Sequence, residues 1–376
     1  MRQSPKFSKL NNNYLSFFDF CHVLNKQTMK KTLAIIGARP QFIKHFAFER
    51  VARNKIDLIT LHTGQHYDDN MSDVFFRQFG MQTPTYLLNH GGGNHGEQTG
   101  KMLIDIEKII LSEKPDAVIV YGDTNSTLAG ALVASKLHIP LFHVEAGLRS
   151  YNKTMPEEIN RILTDHVSSL LFATSDVAIK NLGNEGITEN VILVGDIMKD
   201  LIRYVVENHK IGEKKYENYY YATIHRPYNT DNPERLSYIM SSLNSTGKKV
   251  VFSLHPRTKK ILVDNKIDIS KFSNLIIIDP QAYIDNLSFL YHSKGLITDS
   301  GGMQKEAYWL KKKCVTIRTE TEWTETVELK GNILLFDELN DIGNQLEQLP
   351  AGWDESLYGD GRTAEKILNH IINYFQ

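Results

Sequence analysis

The chain of 376 residues carries 43 Lys and Arg against 44 Asp and Glu, so no global field points to nucleic acid or an anionic membrane. Its length predicts two domains of ordinary size, and no stretch is long and apolar enough to span a bilayer. Two cysteines, Cys21 and Cys314, lie far apart without metal-ligand spacing, which fits a reducing cytoplasm and no structural zinc.

Residues 1–28 are rich in Asn, Lys, Ser and Phe, and the apolar stretch LSFFDFCHVL is interrupted by Asp19 and His22. Without a clean apolar core and a small-residue cleavage site it does not read as a secretory signal, and it is expected to be a disordered extension ahead of a natural start at Met29. From Lys31 short apolar runs alternate with helical stretches. TLAIIG precedes a helix from Pro40, IDLITLHTG a helix through VFFRQFG, and AVIVYGD the helix STLAGALVASKL; IPLFHVEAG, LLFATS and VILVGD follow. After the polar passage NHKIGEKKYENYY a second series runs through YYATIHRP, KVVFSLHP, LIIIDP, GLITDSGG and KCVTIRTE. Strands separated by helices imply parallel pairing with right-handed crossovers. The expected fold is α/β: two Rossmann-like, doubly wound domains, 29–199 and 200–360, facing a cleft. A last helix within 361–376, TAEKILNHIINYF, is expected to cross back to the first domain.

Ligands of open parallel sheets bind outside the carboxyl ends of the strands, where Asp123 (VYGDTNST) and Glu145 (HVEAGLRS) fall, with Glu157 (PEEINR) in the following segment. Together these read as an acid/base cluster, although an Asp followed by Thr124, Asn125 and Ser126 also suits a helix cap. In GARPQFIK, Arg39 and Lys44 flank a helix amino end that favours phosphate or carboxylate, but the turn lacks a dinucleotide fingerprint. A stronger anion signal is LITDSGGMQKEAYWL. There Ser300 is placed to cap a helix, Gly301 and Gly302 admit a diphosphate to the backbone, and Glu306 is placed for ribose hydroxyls. His225 ends a strand of the second domain and faces the cleft, where an imidazolium would stabilise a departing phosphate.

These motifs, in the order GARPQFIK, YGDTNSTLAG, HVEAGLRS, PEEINR, TIHRP, IDPQAY and TDSGGMQKEA, resemble those of the non-hydrolysing UDP-N-acetylglucosamine 2-epimerases, two-domain enzymes of the glycosyltransferase-B-like fold. The resemblance spans Lys31 to Phe375. It implies Arg39 and Lys44 near the diphosphate, Asp123, Glu145 and Glu157 at the sugar, and His225 beside the leaving phosphate. It further implies Ser300, Gly301, Gly302 and Glu306 as UDP contacts and Gln281 near the uracil. A UDP-sugar is the expected ligand, without cofactor or metal, for a cytoplasmic homodimer. The chemistry suits several carboxylates. The C-2 proton of an N-acetylhexosamine is not next to a carbonyl, so UDP is expelled to give a glycal and added back with a proton delivered to the other face.

Three departures from the commoner family pattern stand out: Ala38 and Gln41 in GARPQ, Tyr67 in TGQHYDDN, and Trp323 in TETEWTE where an arginine contacting the nucleotide sugar is usual. They resemble the branch acting on UDP-2,3-diacetamido-2,3-dideoxyglucuronate, an O-antigen precursor, and Tyr67 replaces part of an activating UDP-sugar site. Two other classes share the nucleotide motif. A glycosyltransferase of this architecture needs an acceptor groove that no motif identifies, and a non-catalytic nucleotide-sugar sensor has no reason to hold Asp123, Glu145, Glu157 and His225 together.

Overall fold

The structure, a computed structural model, describes residues 29–65, 79–208 and 210–376, with Arg39 described by its backbone only. The expected extension 1–28, Tyr67 and most of the helix through VFFRQFG lie outside these residues.

Among the described residues the first sheet contains β1 (Lys31–Ile36), β2 (Asp57–His62), β3 (Tyr86–Leu87), β4 (Ala117–Tyr121), β5 (Leu141–Ala146), β6 (Leu170–Ala173) and β7 (Val191–Leu193). The second contains β8 (Tyr219–Thr223), β9 (Lys249–Ser253), β10 (Leu275–Ile278), β11 (Gly295–Thr298), β12 (Lys313–Thr316) and β13 (Asn332–Leu334). The strand orders are β3-β2-β1-β4-β5-β6-β7 and β10-β9-β8-β11-β12-β13. Pairing is parallel, as at β1/β2, β1/β4, β8/β9 and β11/β8. Central strands read as unbroken apolar runs because helices cover both faces of each sheet: all five residues of AVIVY in β4 are inaccessible to solvent. Strand β8 is an instructive variant. Its successive tyrosines Tyr219, Tyr220 and Tyr221 are buried, yet each hydroxyl finds an acceptor, on the Phe289 carbonyl, Glu347 and Asn286 respectively.

The longer helices are α1 (Arg39–Ala52), α2 (His95–Glu113), α3 (Asn125–Lys136), α4 (Pro156–Val167), α5 (Asp176–Asn184) and α6 (Ile197–Glu207), then α7 (Pro233–Asn244), α8 (Pro256–Asp264), α9 (Tyr283–His292), α10 (Gly301–Trp309) and α11 (Thr363–Tyr374). Helix α6 buries Ile197, Met198, Leu201, Ile202 and Val205 in the core of the first sheet. A division at 199/200 would cut this helix, so the chain passes from one domain to the other beyond Glu207. Helix α11 returns to the same core through Ala364, Ile367, Leu368 and Ile371, and the Asp200 carboxylate of α6 accepts the Thr363 and Ala364 amides at its head.

Each sheet reverses its strand order once near its centre, between β1 and β4 and between β8 and β11. Crevices open at such points beyond the strand carboxyl ends. The residues there are Gly37–Arg39 and Gly122–Asp123 in one domain, and Ile224–Arg226 and Asp299–Gly301 in the other.

One buried group beneath this frame ties stability to pH. His45 of α1 is wholly buried, its Nδ1 3.1 Å from the Tyr121 hydroxyl and its Nε2 2.9 Å from Thr60 Oγ1. Burial pushes its pKa down to about 3. A depressed folded-state value means that the unfolded chain binds the extra proton first, so the contribution is whole above the ordinary value near 6.5 and shrinks as pH falls towards 3. Between pH 7 and pH 5 the loss is about 2 kcal/mol. Urea unfolding at those two pH values is expected to show a drop smaller by that amount in His45→Gln, and equal drops in both proteins would contradict it.

Candidate active site

The crevice side of the first domain is built around Glu145. It sits at the end of β5 where the register with β6 shifts between Val144 and Ala146, and its backbone has φ +75°, a strained region for any residue other than glycine. The side chain is buried and clamped by two cations: Lys44 of α1 donates to one carboxylate oxygen, and Lys305 of α10 donates to the other at 3.2 Å. Burial alone would raise the Glu145 carboxyl, but the two ammonium groups hold it well below the usual carboxylate range. Lys305 also donates to Asp196, the N-cap residue of α6, and its ammonium lies 3.5 Å from the centre of the Trp323 ring. Burial would lower the Lys305 pKa, and Asp196 and Glu145 outweigh it to give a net rise.

Asp123 follows β4 across Gly122, whose φ is +62°. A Cβ on Gly122 would stand 3.2 Å from Lys44 Nζ and 3.3 Å from Glu145 Oε2, so glycine lets this turn lie against the ion pair. The turn is held from below by His143, whose ring bridges the Gly122 carbonyl and the Asp165 carboxylate at 2.7 Å each. Helix α3 is capped by Thr124, whose hydroxyl accepts the Thr127 amide, so capping does not account for Asp123. Instead Arg161 of α4 donates to its carboxylate at 2.5 Å. Partial burial raises the Asp123 carboxyl above its ordinary value; Arg161 and Lys44 oppose the rise, and the like charges of Glu145 and Glu157 add to it. Two neighbouring carboxylates are thus pushed in opposite directions.

Glu157 is exposed on the first turn of α4. Its neighbour Glu158 is buried and structural, accepting from the Ser150 and Tyr151 amides, the Ser150 hydroxyl and Arg161.

Between the domains a cavity of about 330 Å³ is lined by His225, Gln281, Ser300, Gly302 and Glu306 of the second domain, with Pro40, Ile43 and Met198 of the first facing them. His225 Nδ1 lies 3.1 Å from Asp299, which is buried and also accepts the His225 and Arg226 amides and the Asn229 side chain. Burial works against ionisation of Asp299, but the contact with His225 and these donors keep its carboxyl below the ordinary value. Gln281 turns its amide nitrogen onto the Asp279 carbonyl at 2.6 Å. Ser300 occupies the N-cap position of α10 without a capping bond from its side chain, contrary to the sequence expectation; its amide donates instead to Thr298 Oγ1 at 3.0 Å. Gly301 opens α10 beside Glu322, where a Cβ would meet that carboxylate at 2.7 Å; Glu322 is itself paired with Arg318.

The residues singled out from sequence therefore form two adjoining groups: Lys44, Glu145, Asp123 and Glu157 on the first domain, and His225, Gln281, Ser300, Gly301, Gly302 and Glu306 on the second. Lys44 spends its ammonium on Glu145. Gln41 receives an explanation unrelated to ligand, since its side chain accepts the Gly37 and Ala38 amides and donates to the Tyr121 carbonyl and Thr127 Oγ1. Only an amide both accepts and donates in that way. Trp323 packs with Leu148 and Tyr358 beneath Lys305 and is not among the cavity-lining residues. Sequence reasoning missed Lys305, Asp196, Arg161 and Asp299. The signal for Lys305 was a lysine amid the buried run MQKEAY, and for Arg161 a position four residues after Glu157 on one helix.

With this geometry in hand, comparisons locate its relatives. The family model described as UDP-N-acetylglucosamine 2-epimerase matches residues 49–372. A UDP-2,3-diacetamido-2,3-dideoxy-D-glucuronate 2-epimerase of Pseudomonas aeruginosa is 44% identical over 361 residues, covering 91% of this chain and 99% of its own. A UDP-N-acetylglucosamine 2-epimerase of Methanocaldococcus jannaschii is 44% identical over 366 residues, with 92% and 99% covered. The crystal structure of the M. jannaschii enzyme in complex with UDP-GlcNAc and UDP aligns with TM-score 0.83 at 42% identity, covering 92% of this chain and 99% of that one. The Neisseria meningitidis enzyme bound to UDP-GlcNAc aligns with TM-score 0.82 at 28% identity, over 91% and 100%.

Proposed function

Because this chain belongs to the UDP-N-acetylglucosamine 2-epimerase family, we propose that it inverts C-2 of a UDP-2-acetamido sugar by expelling UDP and adding it back to a glycal intermediate. The observation that carries this reading is the pair of neighbouring carboxylates, Glu145 clamped by Lys44 and Lys305 and Asp123 held by Arg161, whose surroundings push their pKa values in opposite directions. Such divergence is how one site keeps an anion and a proton carrier together.

In the forward step the C-1–oxygen bond breaks with its electron pair going to UDP, the C-2 proton leaves, and a C-1/C-2 double bond forms. Glu145, fixed as an anion, balances the positive charge that develops at C-1. Asp123 exchanges the C-2 proton on one face and Glu157 serves the other. His225, oriented by Asp299, donates to the departing phosphate. Diphosphate binds at the Ser300–Gly302 head of α10 with Arg39 and Lys44 nearby, Glu306 takes the ribose hydroxyls, and Gln281 lies towards the uracil. Re-addition of UDP with protonation on the opposite face completes inversion.

Incubation with UDP-N-acetylglucosamine in deuterium oxide is expected to place deuterium at C-2 in both epimers with no net loss of UDP-sugar, and a chelator is expected to leave the rate unchanged. Retention of protium at C-2 of both this sugar and the diacetamido-uronate would overturn the reading in favour of a transferase or a silent binding protein. The substrate itself divides two relatives of equal identity, one named for UDP-N-acetylglucosamine and one for the diacetamido-uronate. Comparing kcat/KM for the two assigns the branch. A cytoplasmic homodimer supplying precursors of O-antigen or capsule completes the proposal, and sedimentation tests its assembly.

A further inference from the structure

We propose that Lys305 is a positioning residue that links the nucleotide-binding helix to Glu145 across the domain boundary, with the Trp323 ring holding its ammonium in place. The inference rests on the epimerase reading for the identity of the reaction, and on geometry for the link itself.

Helix α10 presents two faces. Ser300, Gly302, Met303 and Glu306 line the cavity, while Lys305 turns into the protein and is almost wholly buried. Its ammonium meets Asp196 at the head of α6, Glu145 at the end of β5 and the face of Trp323 at 3.5 Å, with the Trp309 ring of its own helix further off at 5.8 Å. A ring face fixes a cation without neutralising it, so the charge stays available to the two carboxylates. A ligand seated on the cavity side of α10 therefore bears on the same rigid helix that carries the cation for Glu145. Glu145 is faced by Lys44 from α1, Lys305 from α10 and Asp123 from the turn after β4, with Glu157 and Arg161 of α4 beyond Asp123 and Asp196 behind Lys305. Lys44 comes from the same domain as Glu145; Lys305 is the cation that domain two contributes.

The test follows the Glu145 carboxyl carbon by ¹³C NMR between pH 4.5 and 8, the resonance being assigned by its loss in Glu145→Gln, alongside C-2 exchange. In the wild type Glu145 stays ionised across the range. In Lys305→Met its midpoint is expected to rise by about 3 units, into the acid end of this range, since burial is then opposed by one cation instead of two. Exchange at pH 4.5 falls about fourfold relative to wild type while the rate at pH 8 changes less. Lys305→Arg keeps the wild-type titration. Asp196→Asn, which retains the cap and removes the other end of the bridge, also keeps it, whereas a purely mechanical latch predicts that Asp196→Asn and Lys305→Met behave alike. Should Lys305→Met fail to fold because Asp196 is left buried without its cation, the double variant Asp196→Asn/Lys305→Met carries the same expectation. A wild-type titration of Glu145 in whichever of these two lysine-free proteins folds overturns the proposal. Absence of C-2 exchange in the wild type overturns the epimerase reading instead, and the NMR titration still decides the role of Lys305.

Discussion

Asp123→Asn is expected to lower turnover by about 10²- to 10⁴-fold, the usual loss when a positioned acid or base is removed, while UDP affinity changes little. The two effects separate because Asp123 stands on the first domain with Arg161, whereas the proposed nucleotide contacts Ser300, Gly302 and Glu306 belong to the second. The amide preserves shape and can still accept from Arg161, so a loss of rate reports the missing proton carrier rather than a collapsed turn. Steady-state turnover with UDP titration calorimetry provides the check. Wild-type turnover in Asp123→Asn would remove this residue from the chemistry, and an equal loss of UDP affinity would show that the variant had disturbed the cleft as a whole.

The second large effect falls on stability. Glu145→Gln leaves the ammonium groups of Lys44 and Lys305 buried without their shared anion, and breaking a buried pair from one side costs about 3–5 kcal/mol. Lys305 retains Asp196, whereas Lys44 has no other anion among its ion pairs in the described residues, so most of the cost falls on Lys44. Glu145→Gln/Lys44→Met is therefore expected to recover a large part of the loss, because it removes the stranded charge. Urea unfolding at pH 7.5 with an unchanged m-value gives the measurement. A midpoint in Glu145→Gln equal to that of wild type would mean that the clamp contributes nothing to the fold.

Much of this molecule was legible before its coordinates. Apolar runs of five or six residues alternating with helical stretches are a local pattern, and they led to two parallel doubly wound sheets because covered strands and crossover helices leave few other arrangements. The strand-end motifs were legible in the same way. Asp123, His225 and Ser300 each follow a strand and Glu145 lies at the end of one, and for Asp123, His225 and Ser300 the adjacent strands flank the points where strand order reverses. Side-chain partners were not legible in the same way. Trp323 looked like a substitution in a nucleotide contact, but it packs under a lysine; Ser300 looked like a cap, but Thr124 is one and Ser300 is not.

What the sequence determined by itself was the order of elements and the end of each sheet at which the candidate site residues lie, since periodicity and turn residues act between neighbours along the chain. What only the tertiary structure decided was which charges meet. Glu145 and Lys305 are 160 residues apart, and Lys305 and Asp196 are 109 apart, on segments whose spacing depends on how two domains pack. A buried carboxylate takes its protonation state from the cations within a few ångströms of it, and no local pattern in the chain records that distance.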